Sequence, residues 1–255
     1  MSLLDSLGLG SARVIAICGA GGKSSLMFAL ADELADAGER VLMTATTKLA
    51  QHQVAGRWPG RMAADADAIA EIARSSCGSF VAYRDVDAAA GKVLGFAPEV
   101  VDQVARSGRF ARVVVEADGS AHRPLKAPAA HEPVFPASAD AVVMVAGASG
   151  LGRALDDDVV FRAAIWSRLT GIAAGEPVTP ESLALMVVHP DGLARTAPRD
   201  AHRALFVNQV DDAPRLALAL RTLAALARCA GEQPARAALG TLLPQVRILH
   251  QTRIS

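Results

Sequence analysis

The sequence predicts a three-layer α/β domain with a mostly parallel sheet, on three observations. Short, fully apolar runs of strand length recur along the chain, and most are followed by a stretch with helical periodicity. Hydrophobic residues make up 51% of the composition and aromatic residues only 4%, so the core is built from Ala, Val, Leu and Ile, as in α/β layers. A chain of 255 residues suits one large domain spanning 1–255, with room for a small insertion within 51–107.

Taken in order, residues 13–18 (RVIAIC) form the first expected strand and run into glycines. Residues 23–37 follow as a helix, because Met27, Leu30, Ala31 and Leu34 recur at i, i+3, i+4 and i+7 and Gly38 stops it. Residues 40–44 (RVLMT) are the second strand and 66–75 a helix. Residues 79–83 and 92–96 are short strands across a turn-rich piece and are expected to pair as a hairpin. A helix over 98–107 starts with proline, and 112–116 (RVVVE) is a strongly apolar strand. Residues 119–136 contain four prolines and read as a long irregular loop, which inside a compact domain points to function. Residues 141–146 are a buried strand, 157–169 and 180–187 helices, 205–207 a strand, 213–230 a long helix and 237–243 the last strand. Strand order is not legible from the pattern.

Lys+Arg and Asp+Glu both number 26, a balance that argues against a nucleic-acid partner. Cys18, Cys77 and Cys229 are scattered and odd in number, which excludes a disulfide framework and a Cys-based zinc site. The first ten residues hold an acid and no basic residue, unlike a signal peptide, and no run approaches the roughly 18 apolar residues of a membrane span. The expectation is a cytoplasmic protein without a membrane partner.

The strongest motif is Gly19-Ala20-Gly21-Gly22-Lys23-Ser24-Ser25, between a predicted strand and a predicted helix. Glycines let the backbone approach phosphate oxygens with N–H groups turned inward, and a helix start adds positive partial charge. Lys23 supplies a cation for the β- and γ-phosphates, and the Ser24 hydroxyl a ligand for Mg²⁺. The longer GxxxxGK[ST] pattern needs glycine at position 17, where Ile17 stands, so the loop fits a shorter Gly-x-x-Gly-Lys-Ser form. These features predict a P-loop NTPase-like fold that binds ATP or GTP with Mg²⁺.

The strand 112–116 ends in Glu116-Ala117-Asp118-Gly119, which places two carboxylates at the ligand edge of a parallel sheet. Glu116 or Asp118 is expected to hold Mg²⁺ with Ser24, or to orient a nucleophile, so Lys23, Glu116 and Asp118 are the candidate catalytic residues. Thr46, Thr47 and Lys48, after the second strand, are candidates for the metal or the γ-phosphate. Asn208-Gln209-Val210-Asp211 is like the Asn-Lys-x-Asp that follows a strand in guanine-specific GTPases, with Gln209 in place of the lysine. Asn208 and Asp211 are therefore the candidate base site. Arg123 and Lys126, with His122, His131 and Glu132 on the proline-rich loop, are candidates for the triphosphate or for an anionic second substrate.

The segments GAGGKSSLMFALADELADAGERVLMTATTK, VVVEADGSAHRPLKAPAAHEPVFP and FVNQVDD, in this order, resemble the YqeC family. That resemblance implies an accessory protein for selenium-dependent molybdenum hydroxylases, with a molybdenum hydroxylase or its cofactor as partner. It implies nucleotide-dependent maturation without supplying a reaction. Two other readings stay open. GAGGKSS, VVVEADGS and NQVDD also look like the ATP domain of Mur-type ligases, although little chain follows Asp211 to supply their further domain. A non-catalytic scaffold switched by nucleotide is the other, with 44–48 as the responding segment.

Overall fold

A computed structural model of the chain describes residues 2–54, 56 and 58–254. The architecture is α/β with a mixed, mostly parallel sheet. The first half contains α1 (Leu3–Leu7), β1 (Val14–Gly19), α2 (Lys23–Asp36), β2 (Val41–Ala45), β3 (Lys48–Ala50), α3 (Gln51–Val54), β4 (Gly60–Met62), α4 (Ala66–Ser75), β5 (Phe80–Tyr83), β6 (Asp85–Asp87), β7 (Lys92–Leu94) and α5 (Pro98–Arg106). The second contains β8 (Arg112–Glu116), β9 (Leu125–Lys126), β10 (Ala141–Gly147), β11 (Val160–Phe161), α6 (Ala163–Thr170), α7 (Pro180–Val188), β12 (His202–Asn208), α8 (Ala213–Leu226), β13 (Arg236–Thr241) and β14 (Arg247–Arg253).

Among the described residues a nine-stranded sheet runs β14-β13-β12-β10-β1-β8-β2-β5-β4. Every neighbour pair in it is parallel except β13 with β14. The central strands are apolar at every position because both faces are covered. Along β1, Val14, Ala16 and Cys18 pack into the layer that holds Trp166 of α6 and Leu183 of α7. Ile15 and Ile17 pack into the opposite layer, with Leu26, Leu30 and Leu34 of α2 and Leu3 and Leu7 of α1.

Three expected elements differ. The hairpin between 79–83 and 92–96 does not form. β5 joins the main sheet parallel to β2, and β7 pairs antiparallel with β3 and β6 in a separate three-stranded sheet. The composition explains the split: Phe80, Val81 and Ala82 are buried on both sides, whereas Asp85, Asp87 and Lys92 suit an outlying, partly solvated sheet. The helix expected over 157–169 begins only at Ala163, because the Asp156 carboxylate accepts from the Asp158 and Val159 amides and makes a turn, after which β11 pairs with β9. The strand expected to close the fold at 237–243 ends at Thr241, and β14 then returns along it. β14 is largely exposed, so no apolar run announced it.

The glycine turn sits between β1 and α2, and α2 is held by its buried face of Leu26, Met27, Leu30, Ala31 and Leu34. Leu30→Ala is expected to lower unfolding free energy by about 2–5 kcal/mol, measured by urea denaturation; a loss within error of zero would show that this face does not anchor the helix.

Candidate functional site

The site is built where β1, β8 and β2 end. β1 lies between β8 and β10, and the turn that follows it carries Gly21 and Gly22 at φ of +79° and +134°. A Cβ on Gly21 would stand 2.5 Å from the Gly147 nitrogen and 2.6 Å from the Pro124 carbonyl oxygen, both immovable backbone. A Cβ on Gly22 would collide with the Asn208 amide. The turn is therefore closed down to glycine by its neighbours as well as by its dihedrals. It is pinned from both sides: Ala20 N–H donates to the Val145 carbonyl at 2.9 Å, and Asn208 Nδ2 donates to the Gly21 carbonyl at 2.7 Å. Asn208 Oδ1 in turn accepts from the Leu242 amide at 3.2 Å.

Alternation along β8 decides which acids meet this turn. Val114 packs on the α2 side of the sheet, so Glu116 and Asp118, at i+2 and i+4, fall on the same side. Lys23, in the first turn of α2, meets both: its Nζ lies 3.5 Å from Glu116 Oε1 and 3.4 Å from Asp118 Oδ1, and donates to the Gly19 carbonyl at 2.9 Å. Ser24 Oγ donates to Glu116 Oε2 at 2.7 Å. Asp118 Oδ2 accepts from the Gly19 amide at 3.1 Å and pairs with Lys126 Nζ at 2.8 Å. Lys126 also donates to Glu132 at 2.8 Å and to the Gly119 carbonyl at 2.6 Å. Arg162 closes the series on Glu132 and lies over the Phe161 ring.

This chain of alternating charge is buried: Lys23 is 3% exposed, Asp118 1% and Lys126 1%. Burial works against the charge on Lys23, but Asp118 and Glu116 outweigh it and raise its pKa. Burial raises the Glu116 carboxyl, with Asp118 adding to it; Lys23 and Ser24 pull the other way without cancelling the rise. The benefit that Lys23 draws from its acids is thus not mirrored at Glu116, where desolvation is the larger effect. Burial also opposes the charge on Glu132, yet Arg162 and Lys126 hold its carboxyl down at about 2.

A cavity of about 270 Å³ opens over the turn. Of the residues that the sequence singled out, Gly21, Gly22, Lys23, Ser24, Ser25, Lys48, Glu116, His122, Arg123 and Gln209 line it. Gly19 and Ala20 lie behind it in the turn. Asp118 and Lys126 are enclosed in the charge chain away from its surface, and Asn208 braces the turn from outside. Thr46 Oγ1 donates to the Val134 carbonyl at 2.6 Å, and Thr47 Oγ1 is buried with no hydrogen-bond partner among the described residues; neither lines the cavity. Asp211 lies at the surface, paired with Arg215 at 2.8 Å. Sequence reasoning missed Lys92 and Gln53, which also line the cavity. Only the pairing of β3 with β7 brings Lys92 there, and no local pattern encodes that pairing.

Among the described residues no group of three His, Cys, Asp or Glu side chains is placed to hold a metal ion. Mg²⁺ needs less from a protein, since one or two oxygen ligands together with ligand phosphates and water suffice. Ser24 Oγ and the Glu116 carboxylate, side by side at the cavity wall, are such a donor set. Asp118 does not fit the role, because it is committed to two ammonium groups and an amide.

Fold and site together define an α/β protein with a glycine turn, a buried lysine and a hydroxyl–carboxylate pair around one cavity at the carboxyl edge of a parallel sheet. Residues 15–164, more than half of the chain, match the family described as YqeC protein. The chain is 35% identical over 196 residues to the Uncharacterized protein YqeC of Escherichia coli (strain K12), an alignment covering 77% of this chain and 75% of that protein. This chain belongs to the YqeC family.

The charge chain makes a stability prediction. Glu132 has a folded pKa of about 2 against an ordinary 4.5, so its contribution is complete above pH 4.5 and is lost as pH falls from 4.5 toward 2. Glu132→Gln is expected to cost about 2 kcal/mol at neutral pH, with the gap to wild type closing over that acid window. Equal stability at pH 7 in denaturant titrations would remove Glu132 from the chain's energetics.

Proposed function

We propose that the cavity binds the triphosphate end of a nucleoside triphosphate with Mg²⁺ and promotes cleavage of its β–γ bond. One observation carries this reading: a turn that only glycine can occupy opens a 14-residue helix at the mouth of a parallel sheet, with Lys23, Ser24 and Glu116 converging on one cavity. Such a turn offers backbone N–H groups and the helix dipole to an anion. The order β10-β1-β8, with the acid-ended strand beside the glycine-ended one, supports a P-loop NTPase-like reading of the fold.

The residues divide the work as follows. The amides of Gly21 to Ser25 hold the β-phosphate, and Lys23, now folded back on the Gly19 carbonyl, shares its proton-bearing end between Glu116, Asp118 and the incoming phosphate. Ser24 and Glu116 would hold Mg²⁺, which supplies charge neutralisation between the β- and γ-phosphates. Catalysis is then mostly positioning and charge stabilisation. Asn208 maintains the turn's shape, and the exposed Asp211 is free to exchange Arg215 for a base amino group, which leaves ATP and GTP both open. The cellular setting we propose is the one the family resemblance implies, maturation of a molybdenum hydroxylase.

A calorimetric panel of ATP, GTP and CTP, with and without Mg²⁺, tests this. Binding of at least one Mg²⁺–nucleotide is expected, and no heat with any of the three overturns the reading. Lys23→Ala is expected to weaken binding by roughly 10- to 100-fold. That variant also removes the one ammonium group beside Glu116 and leaves Asp118 with Lys126 as its remaining cation, so it disturbs stability as well as binding. Ser24→Ala therefore serves beside it: it is expected to erase the Mg²⁺-dependent part of the affinity while leaving the metal-free part in place. An unchanged Mg²⁺ dependence would take Ser24 out of the metal site.

A further inference from the structure

We propose that the outer wall of the same cavity is a subsite for a small oxyanion-bearing second substrate, a carboxylate or a phosphate compound, held by Lys48, Lys92 and Arg123. This rests on the nucleotide reading above and gives that site an acceptor. Its basis is a charge imbalance. Among the described residues, the cavity lining holds Lys23, Lys48, Lys92 and Arg123 against a single carboxylate, Glu116. Lys23 is already balanced by its two buried acids. A triphosphate on the glycine turn would meet the amides, Lys23 and a divalent cation, whereas Lys48, Lys92 and Arg123 reach the cavity from the small sheet and the proline-rich loop, with Lys48 on Asp87 and Arg123 on Asp158 at present.

Those three come from elements other than the turn. Lys48 and Lys92 stand on one face of the small sheet, because Lys48 pairs with Leu94 and Ala50 with Lys92 in the β3–β7 register. Arg123 comes from the proline-rich loop. Two of them hold ion pairs near the surface, and Arg123 Nε also donates to the Asp157 carbonyl at 2.6 Å. Lys48 binds Asp87 at 3.1 Å and Arg123 binds Asp158 at 2.9 Å, with Asp158 79% exposed. Solvent-screened pairs of this kind hold weakly, so an incoming oxyanion displaces them readily. The loop also carries strain at this wall. Ala121 and His122 are left-handed at φ of +47° and +60°, in a tight turn closed by Arg123 N–H to the Ser120 carbonyl at 2.9 Å. Non-glycine residues are disfavoured in that region, and the turn delivers Arg123 to the cavity. Attack by water needs none of these three cations.

The reaction is phosphoryl transfer. An anionic oxygen of the acceptor attacks the γ-phosphorus. The bond from that phosphorus to the β–γ bridging oxygen breaks, and its electron pair leaves with the nucleoside diphosphate. A carboxylate gives an acyl phosphate and a phosphate gives a phosphoanhydride; neither nucleophile has a proton to lose.

The test uses the full chain saturated with Mg²⁺ and the β,γ-imido analogue of the nucleotide that binds, titrated separately with inorganic phosphate and with succinate. The expected result is saturable binding of at least one of them, the better one naming the acceptor class. In Lys48→Ala/Lys92→Ala, this binding falls by about tenfold or more while nucleotide affinity stays within about twofold. Lys48 is half exposed, so the fold does not hang on it. Absence of oxyanion binding to the loaded chain overturns the proposal. So does a tenfold loss of nucleotide affinity in the double variant, which would assign these lysines to the triphosphate. If no nucleotide binds at all, the preceding reading fails on its own, and the oxyanions are titrated into the unliganded chain. Binding lost in Lys48→Ala/Lys92→Ala but kept in Lys23→Ala then upholds the subsite, and any other pattern overturns it.

Discussion

Asp118 between two lysines is the contact on which the site depends. A lone charge at 1% exposure would lose several kcal/mol to desolvation, so Asp118 can be buried only with Lys23 and Lys126 in place. The same argument then runs outward: Lys126 needs Glu132 as well, Glu132 draws in Arg162, and Lys23 draws in Glu116. Five separate segments are thereby tied into one unit: the glycine turn, the start of α2, the end of β8, the proline-rich loop and the residue preceding α6. Each contact alone is marginal once desolvation is counted. Breaking any one strands its neighbours, which makes the set far more specific than it is stabilising.

The burial of this unit also sorts the two acids of β8. Both lie on the α2 side of the sheet, but Asp118 is two residues further along and passes under the proline-rich loop, where Lys126 and the Gly19 amide take it up. Glu116 stops at the cavity wall, where Ser24 and Lys23 hold it and burial raises its pKa. Equivalent residue types two positions apart thus have different surroundings: Asp118 is tied to the turn and Glu116 faces the cavity.

The sheet core was legible in the sequence because its strands are buried on both faces, and continuous apolar runs such as 112–116 and 141–146 have few other uses. The glycine turn was legible because Gly21 and Gly22 have no room for any Cβ, so composition and conformation coincide. What escaped depends on pairing across the chain. β14 is mostly solvated, β9 and β11 are two residues each, and β6 is Asp-Val-Asp, so none carries a period strong enough to read; β7 lies within the strand expected over 92–96, but its partners β3 and β6 were not legible. At the site, the sequence gathered Lys126 and Arg123 as one basic group on one loop. The fold separates them, Lys126 inward to Asp118 and Arg123 outward to the cavity, and that division is set by neighbours 6 to 35 positions away. Lys92 escaped for the same reason, since β3 fixes its position from more than forty residues upstream.

The cavity therefore has two walls of different mechanical character. On the turn side, every charged group has buried partners at fixed distances, and moving one exposes another to an unpaired state worth several kcal/mol. On the side of the small sheet and the proline-rich loop, Lys48 rests on the partly exposed Asp87 and Arg123 on the exposed Asp158, pairs whose hold is comparable to thermal energy. A rigid wall suits a ligand part that is always the same and must be held in line, as a polyphosphate is. A compliant wall of long cationic side chains suits a ligand that enters, reacts and leaves. Chemistry that joined the two would need the phosphorus fixed and the nucleophile exchangeable, and the distribution of burial around this cavity divides it in that way.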